Sequence, residues 1–349
     1  MEFTFLISSE RSGSNLLTKM MDNHPLYCGP SPVHIFRLIL ENRLSYGDLK
    51  NLKNWDMLLT DVGDLLETQL GVWKTEWNID QLSRLVPKGD LAALFRTIFE
   101  KEAVANGKKR IFVKENHLYR YIEFILANFP DSKFVYLVRD PRDMALSWKK
   151  SPVLRGAVVR ASNVWKIDQA ESIKVYSLLL DVGKIICIRY EELLRNPEEE
   201  LSKLCSFLDI PYHKSMLNFP QNGFTAINAQ RSSAWENLSK PLLTDNFNKF
   251  QKELSIDEIK YIEALCKEEM ELLGYQRVFS IDETVETLEN RIIPLEKYEK
   301  EAFRELSREQ RDRFRRNHEV MKRIQQRSPQ PLMSTYLINT SGELQIENE

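Results

Sequence analysis

The chain has 349 residues, of which 42% are hydrophobic and 10% aromatic, enough apolar side chain for one large domain with an appendage, or two domains, and too much for a disordered chain. Its net charge is −2, from 49 Lys and Arg against 51 Asp and Glu, so no global field recruits nucleic acid and any anion site must be local. No apolar run reaches the ~20 residues that span a bilayer, and the first strand begins at Phe3, so the expectation is a soluble, cytoplasmic protein with no transmembrane segment or signal peptide.

The opening run Phe3-Thr4-Phe5-Leu6-Ile7 has the length and side chains of a buried strand. Small polar residues follow, Ser8 to Asn15 around Gly13, and then Leu16, Leu17, Met20 and Met21 recur at helical spacing. A strand, a tight loop and a helix start aim several backbone N–H groups at one point, where an anion such as a phosphate belongs. Arg11 adds a planar donor fork, and Ser12, Ser14 and Asn15 add side-chain donors. The plainer alternative is a strand–helix turn whose Ser and Asn only cap the helix. A Pro-rich corner, His24 to His34, leads into a helix at Ile35. Residues 46–108 read as amphipathic helices without a strand, with Leu58, Leu59, Val62, Leu65 and Leu66 on one face.

A second strand is predicted over Arg110–Lys114, a helix over Tyr119–Asn128, and the strongest strand over Lys133–Val138. Asp140-Pro141 starts the next helix as cap and first helical residue. A long helix is predicted over Ala157–Val182 and a further strand over Lys184–Ile188. Strands alternating with helices predict an α/β fold, a parallel sheet of four to five strands covered on both faces. Ligands bind such sheets at the carboxyl ends of the strands, where the Arg11 and Arg139 loops both lie. Gln221 to Thr244 reads as loop, and a helix over Ile256–Leu273 closes a domain of residues 1–280. Residues 281–349 shift to dense mixed charge and read as a helical extension with a disordered tail from Ser328. Solvent is the default cover for these helices, with a second copy of the chain or an acidic membrane as alternatives. The four cysteines, Cys28, Cys187, Cys205 and Cys266, form no C-x-x-C pair and read as reduced core thiols, with no metal site.

Two further constellations stand at strand ends. Arg139 is followed eight residues later by Ser147, two turns into the helix begun at Pro141, so the two can converge on one group over that helix start. The alternative is a salt bridge from Arg139 to a nearby capping Asp. Tyr190, in Tyr190-Glu191-Glu192-Leu193, emerges past the next strand end, where rim packing would also suit it.

Together these residues resemble the sulfotransferase family, whose donor is 3′-phosphoadenosine 5′-phosphosulfate (PAPS), over about residues 3–275. The family's 5′-phosphosulfate loop, R-S-G-[ST]-[ST]-L-L after a strand, is matched by Arg11-Ser12-Gly13-Ser14-Asn15-Leu16-Leu17, with Asn15 in place of the usual hydroxyl. Its 3′-phosphate element is matched by Arg139 and Ser147, its Tyr-Glu-x-Leu element by Tyr190 to Leu193, and its later basic loop by Arg231-Ser232-Ser233 with Lys240-Pro241. The resemblance implies a P-loop-like three-layer fold, donor contacts from these residues including Arg231 and Ser232, and sulfuryl transfer to an acceptor hydroxyl without a metal. It also makes Lys114 the catalytic lysine at the bridging oxygen; without it, Lys114 reads as an exposed strand-end lysine. The family's base is a histidine shortly after that lysine or a glutamate in the corner after the first helix. The base is therefore expected at His34, in the corner, or at His117, with Glu115 behind them; the strand and helix frame favours His34. A kinase of similar fold would need G-x-x-x-x-G-K-[ST], and this loop lacks its Gly-Lys pair. A catalytically inactive donor-binding scaffold acting through its C-terminal helices, with a homodimer as one form, is the alternative of another class. The acceptor expected from the sequence is a small-molecule, lipid or carbohydrate alcohol rather than a protein, because the tyrosine-sulfating branch is usually membrane-anchored and no anchor is visible.

Overall fold

The computed structural model describes residues 1–151, 154–231, 233–296 and 307–327. In chain order it contains β1 (Glu2–Ile7), α1 (Ser14–Asp22), β2 (Tyr27–Cys28), α2 (Ile35–Glu41), α3 (Leu52–Thr68), α4 (Ile79–Leu85), α5 (Leu91–Ala105) and β3 (Arg110–Lys114). Then follow α6 (Ile122–Asn128), β4 (Lys133–Val138), α7 (Pro141–Lys149), α8 (Val158–Leu180), β5 (Ile185–Arg189), α9 (Tyr190–Arg195) and α10 (Pro197–Phe207). The chain continues with α11 (Gly223–Arg231), α12 (Phe250–Glu253), α13 (Ile256–Leu265), α14 (Lys267–Leu272), α15 (Val285–Glu296) and α16 (Arg308–Gln326).

The five strands form one sheet in the order β2-β3-β1-β4-β5, and every pairing is parallel. The fold is the expected α/β sheet flanked by helices. Leu6 lies opposite Lys114 on β3, and Ile7 opposite Tyr136 on β4, so the loops leaving β1, β3 and β4 emerge side by side. Alternate residues of a strand face opposite sides. Phe5 accordingly joins Phe36, Leu58 and Phe95 under the α3–α5 layer, whereas Leu6 joins Leu17, Val135 and Leu201 on the other face. A third apolar cluster holds Met144, Trp165 and Tyr261 together between α7, α8 and α13.

The structure departs from the sequence reading in three places. The Pro-rich corner contains β2, a two-residue edge strand, too short to leave any periodicity. The predicted loop at 221–244 contains α11 and a 3-10 turn over Ser233–Ser239; α11 is GFTAINAQR, whose polar residues dilute the apolar pattern. The charged C-terminal segment is built into the core where it is described. Leu288 and Ile292 of α15 are buried in the third cluster, and Val320 and Ile324 of α16 in the first. Asp61 of α3, wholly buried, accepts from Tyr46, Arg323 and Arg327, so α16 supplies the cations that neutralise it. The tail expected to be disordered from Ser328 lies outside the described residues.

Candidate functional site

A cleft opens at the carboxyl ends of β1 and β4. Arg11, Gly13, Ser14, Asn15, Arg139, Ser147 and Tyr190 all line it, and Trp235, Asn237, Pro241 and Asn246 form its far wall. Gly13 is the N-cap of α1, with φ 89 and no side-chain cap, which leaves the leading N–H groups of the helix open to a ligand. Glycine is required there twice over. The left-handed backbone disfavours a β-carbon, and a Cβ would sit 2.3 Å from Tyr190 Cδ2.

The two arginines meet in this cleft. Arg139 Nη1 donates to the Arg11 carbonyl at 2.8 Å and Nη2 to that of Asn246 at 3.2 Å. Arg11 Nε donates to Ser147 Oγ at 3.1 Å. The Arg139 guanidinium lies 4.4 Å over the Tyr190 ring, whose hydroxyl accepts from Asn246 at 2.9 Å. Among the described residues neither Arg11 nor Arg139 forms an ion pair, and Arg139 Nε is buried without a partner. The capping Asp140 takes Arg142 instead, at 2.6 Å, so the salt-bridge alternative for Arg139 is not what the structure shows. Burial and the neighbouring Arg139 lower the Arg11 pKa. Two neighbouring cations, Arg139 buried and Arg11 partly so, with an unsatisfied Nε on Arg139 and no carboxylate lining the cleft, form a receptor for a polyanion.

The rest of the phosphate-side expectation divides. Ser12 is fully buried with an unpartnered hydroxyl and does not line the cleft. Arg231 does not line it either: its Nη1 donates to the Gly71 carbonyl at 3.1 Å, and its own carbonyl accepts from Arg313 of α16. Ser232 lies outside the described residues.

A second cluster gathers at the end of β3. Lys114 is 8% exposed and donates to Asn116 Oδ1 at 3.0 Å, so it is not the exposed strand-end lysine of the plainer reading. Burial pushes its ammonium down to about 8, against the raising influence of Glu10 and Glu115. His34 caps α2 at φ 66 and His117 caps a short 3-10 turn at φ 60. Both rings have a buried, unpartnered Nδ1. Burial, followed by neighbouring cations, lowers both pKa values: His34 well below the ordinary value and His117 to about 3. Both rings are therefore neutral at pH 7, and each is a weaker base than an ordinary imidazole. His117 Nε2 stands 3.8 Å from Asp168 Oδ1, which accepts from the Tyr119 hydroxyl at 2.8 Å. Burial raises Asp168 to about 6.

Several of these neighbours escaped the sequence reading. Arg37 sits one turn along α2 from His34, a spacing that was legible. Asp168 is deep in α8, and Asn246 and Trp235 are in a polar stretch; nothing in the sequence points to them. Among the described residues no group of His, Cys, Asp and Glu side chains is arranged to hold a metal ion, and no helix is long and apolar enough to cross a membrane.

Comparison with known proteins agrees on one class. A sulfotransferase family model matches residues 4–214, and a sulfotransferase domain model matches residues 159–274. A protein-tyrosine sulfotransferase of Drosophila melanogaster is 24% identical over 290 residues, covering 79% of this chain and 52% of that protein. A putative protein-tyrosine sulfotransferase of Caenorhabditis briggsae is 25% identical over 222 residues, covering 62% of this chain and 69% of that protein. The chain thus spans about half the length of the Drosophila protein. Among solved structures, the sulfotransferase domain from the curacin biosynthetic pathway superposes with a TM-score of 0.45 at 20% identity, covering 83% of this chain and 96% of that one. A mouse sulfotransferase complexed with PAP superposes with a TM-score of 0.38 at 15% identity, covering 83% and 89%.

Proposed function

The chain belongs to the sulfotransferase family, and from that premise we propose that it transfers a sulfuryl group from PAPS to the hydroxyl of a tyrosine side chain. The observation that carries the donor half is the pairing of Arg11 and Arg139 in one cleft that no carboxylate lines. In this reading the 5′-phosphosulfate sits on the N–H groups of Gly13, Ser14 and Asn15, and the 3′-phosphate takes Arg139 and Ser147. Tyr190 and Trp235 are the flat surfaces available to the adenine.

Sulfuryl transfer needs positioning and charge stabilisation more than covalent help. The acceptor oxygen forms a bond to sulfur while the bond from sulfur to the 5′-phosphate oxygen breaks, and that oxygen keeps the electron pair. Lys114, the cation on the strand beside β1, stabilises the charge left there. The acceptor proton goes to a neutral imidazole, His34 or His117. No metal is needed in this scheme.

The names of the curated relatives favour a tyrosine acceptor over the small-molecule, lipid or carbohydrate alcohol expected from the sequence. The deciding experiment incubates the protein with sulfur-labelled PAPS and either tyrosine-containing peptides or a panel of simple phenols, sterols and sugars. Label on a peptide supports the whole reading, and label only on a small alcohol moves the acceptor back to that class. PAP binding without transfer to any acceptor favours the inactive scaffold, and no PAP binding at all removes the donor site.

A further inference from the structure

Glu115 is 1% exposed and lies between the candidate lysine and the candidate corner histidine. Both of its oxygens are occupied: Oε1 accepts from Ile35 N at 2.9 Å and Oε2 from Phe36 N at 2.8 Å. A closed-in carboxylate with a backbone donor on each oxygen is badly placed to take a proton from an acceptor. The same contacts give it a different task. The two N–H groups form the first turn of α2, whose N-cap is His34 in a left-handed conformation that a β-carbon disfavours. In the other direction Glu115 follows Lys114 directly, and its charge helps to hold that ammonium protonated against burial.

Building on the sulfuryl-transfer reading, we propose that Glu115 is a positioning residue for the reaction: its carboxylate pins the first turn of α2, and with it His34, against the end of β3 that carries Lys114. The charged groups facing Lys114 are Glu10 and Arg11 from the loop after β1, Arg37 from α2, and Glu115 itself. Those facing Glu115 are Arg37 and the backbone donors of α2. Of the two carboxylates near the lysine, Glu115 is the one whose removal also loosens the corner.

The test reads ionisation directly and needs no acceptor. Carbon-13 at lysine Cε reports each ammonium, and K114R identifies the Lys114 signal. In E115Q the Lys114 midpoint should fall by at least about half a pH unit, because a nearby negative charge is lost. The affinity for PAP, measured by calorimetry, should stay within about threefold, since Glu115 does not line the donor cleft. E115D keeps the charge but shortens the reach, so it should leave the midpoint in place while shifting the His34 ring signals. A midpoint unchanged in E115Q takes the carboxylate away from the Lys114 end of β3, and His34 signals unmoved in E115D overturn the pinning. If E115Q does not fold, the native protein still decides the matter. Its Lys114 signal should inflect as Glu115 titrates, and a single smooth curve overturns the coupling. Failure of the native protein to bind PAP would sink the donor site instead, and leaves the Lys114–Glu115 coupling readable.

Discussion

Arg139 holds its place by donating to the carbonyls of Arg11 and Asn246 and by lying over Tyr190, so it is fixed before any ligand arrives. It has no direct ion pair among the described residues, and the nearby carboxylates of Asp143 and Glu191 act on it only at longer range. Arg139→Ala should therefore weaken PAP binding by about 10- to 100-fold, the worth of one or two charge-assisted hydrogen bonds; unchanged affinity in a calorimetric titration would remove the 3′-phosphate assignment. Gly13→Ala acts on the same cleft through shape. Its β-carbon would overlap the Tyr190 ring, so the ring must swing off Arg139, and PAP affinity should fall with it while the thermal transition stays cooperative. Lys114→Ala should leave PAP affinity nearly intact and lower kcat by about 10²- to 10³-fold, the scale of one lost electrostatic donor. Equal losses in both would place the lysine on the ground state instead. Arg11 and Arg139 were legible because each lies in the loop between a strand and the helix that follows it. Asp168, which faces His117, was not, because a carboxylate in mid-helix reads as a solvated residue until the sheet it packs against is known.

The strands were the easiest elements to read, since β-branched and aromatic runs such as Lys133–Val138 have few alternatives, and the alternation with helices dictated a parallel sheet. The extension after 281 was hardest, because its charge density suggests solvent. What that pattern hides is pairing across the chain. Arg323 of α16 and Arg327, its C-cap, reach Asp61 at 2.8 and 2.7 Å, and Asp61 is fully buried on α3. A buried carboxylate stripped of its cations is costly, on the order of 3 kcal/mol, whereas the arginines, being partly exposed, lose little when removed from solvent contact. Replacing both by alanine should thus lower the thermal midpoint by several degrees, and Asp61→Asn in that background should restore much of it. A double variant as stable as the native protein would show that α16 rests on α3 without holding it. The same helix receives the Arg231 carbonyl on Arg313, so loosening it should also raise the Kd for PAP through the 235–246 wall of the cleft.

At the scale of the whole molecule the cluster at the end of β3 is a region of suppressed charge, and that has a signature in stability against pH. His117 is held neutral, its pKa lowered from 6.5 to about 3 by burial and by Arg120, Arg37 and Lys114. Between those two values the unfolded chain binds a proton that the folded chain does not, so the contribution of this histidine is complete above pH 6.5 and is lost as pH falls. Glu115 and Asp168 run the other way: burial raises them to about 7 and about 6, so the fold holds their protons more tightly and gains from acidification. The two trends offset each other in any total, and a difference between variants is the clean measure. His117→Asn suits the purpose, because asparagine tolerates the φ of 60 at this position and cannot titrate. Relative to that variant, the native protein should lose roughly 1–2 kcal/mol of stability between pH 7 and pH 5, with Asp168 at 3.8 Å from Nε2 keeping the loss at the lower end. Denaturant titrations of both proteins at the two pH values check it. Parallel curves would mean that His117 takes up its proton in the fold as readily as in the open chain, so that burial does not hold this ring neutral.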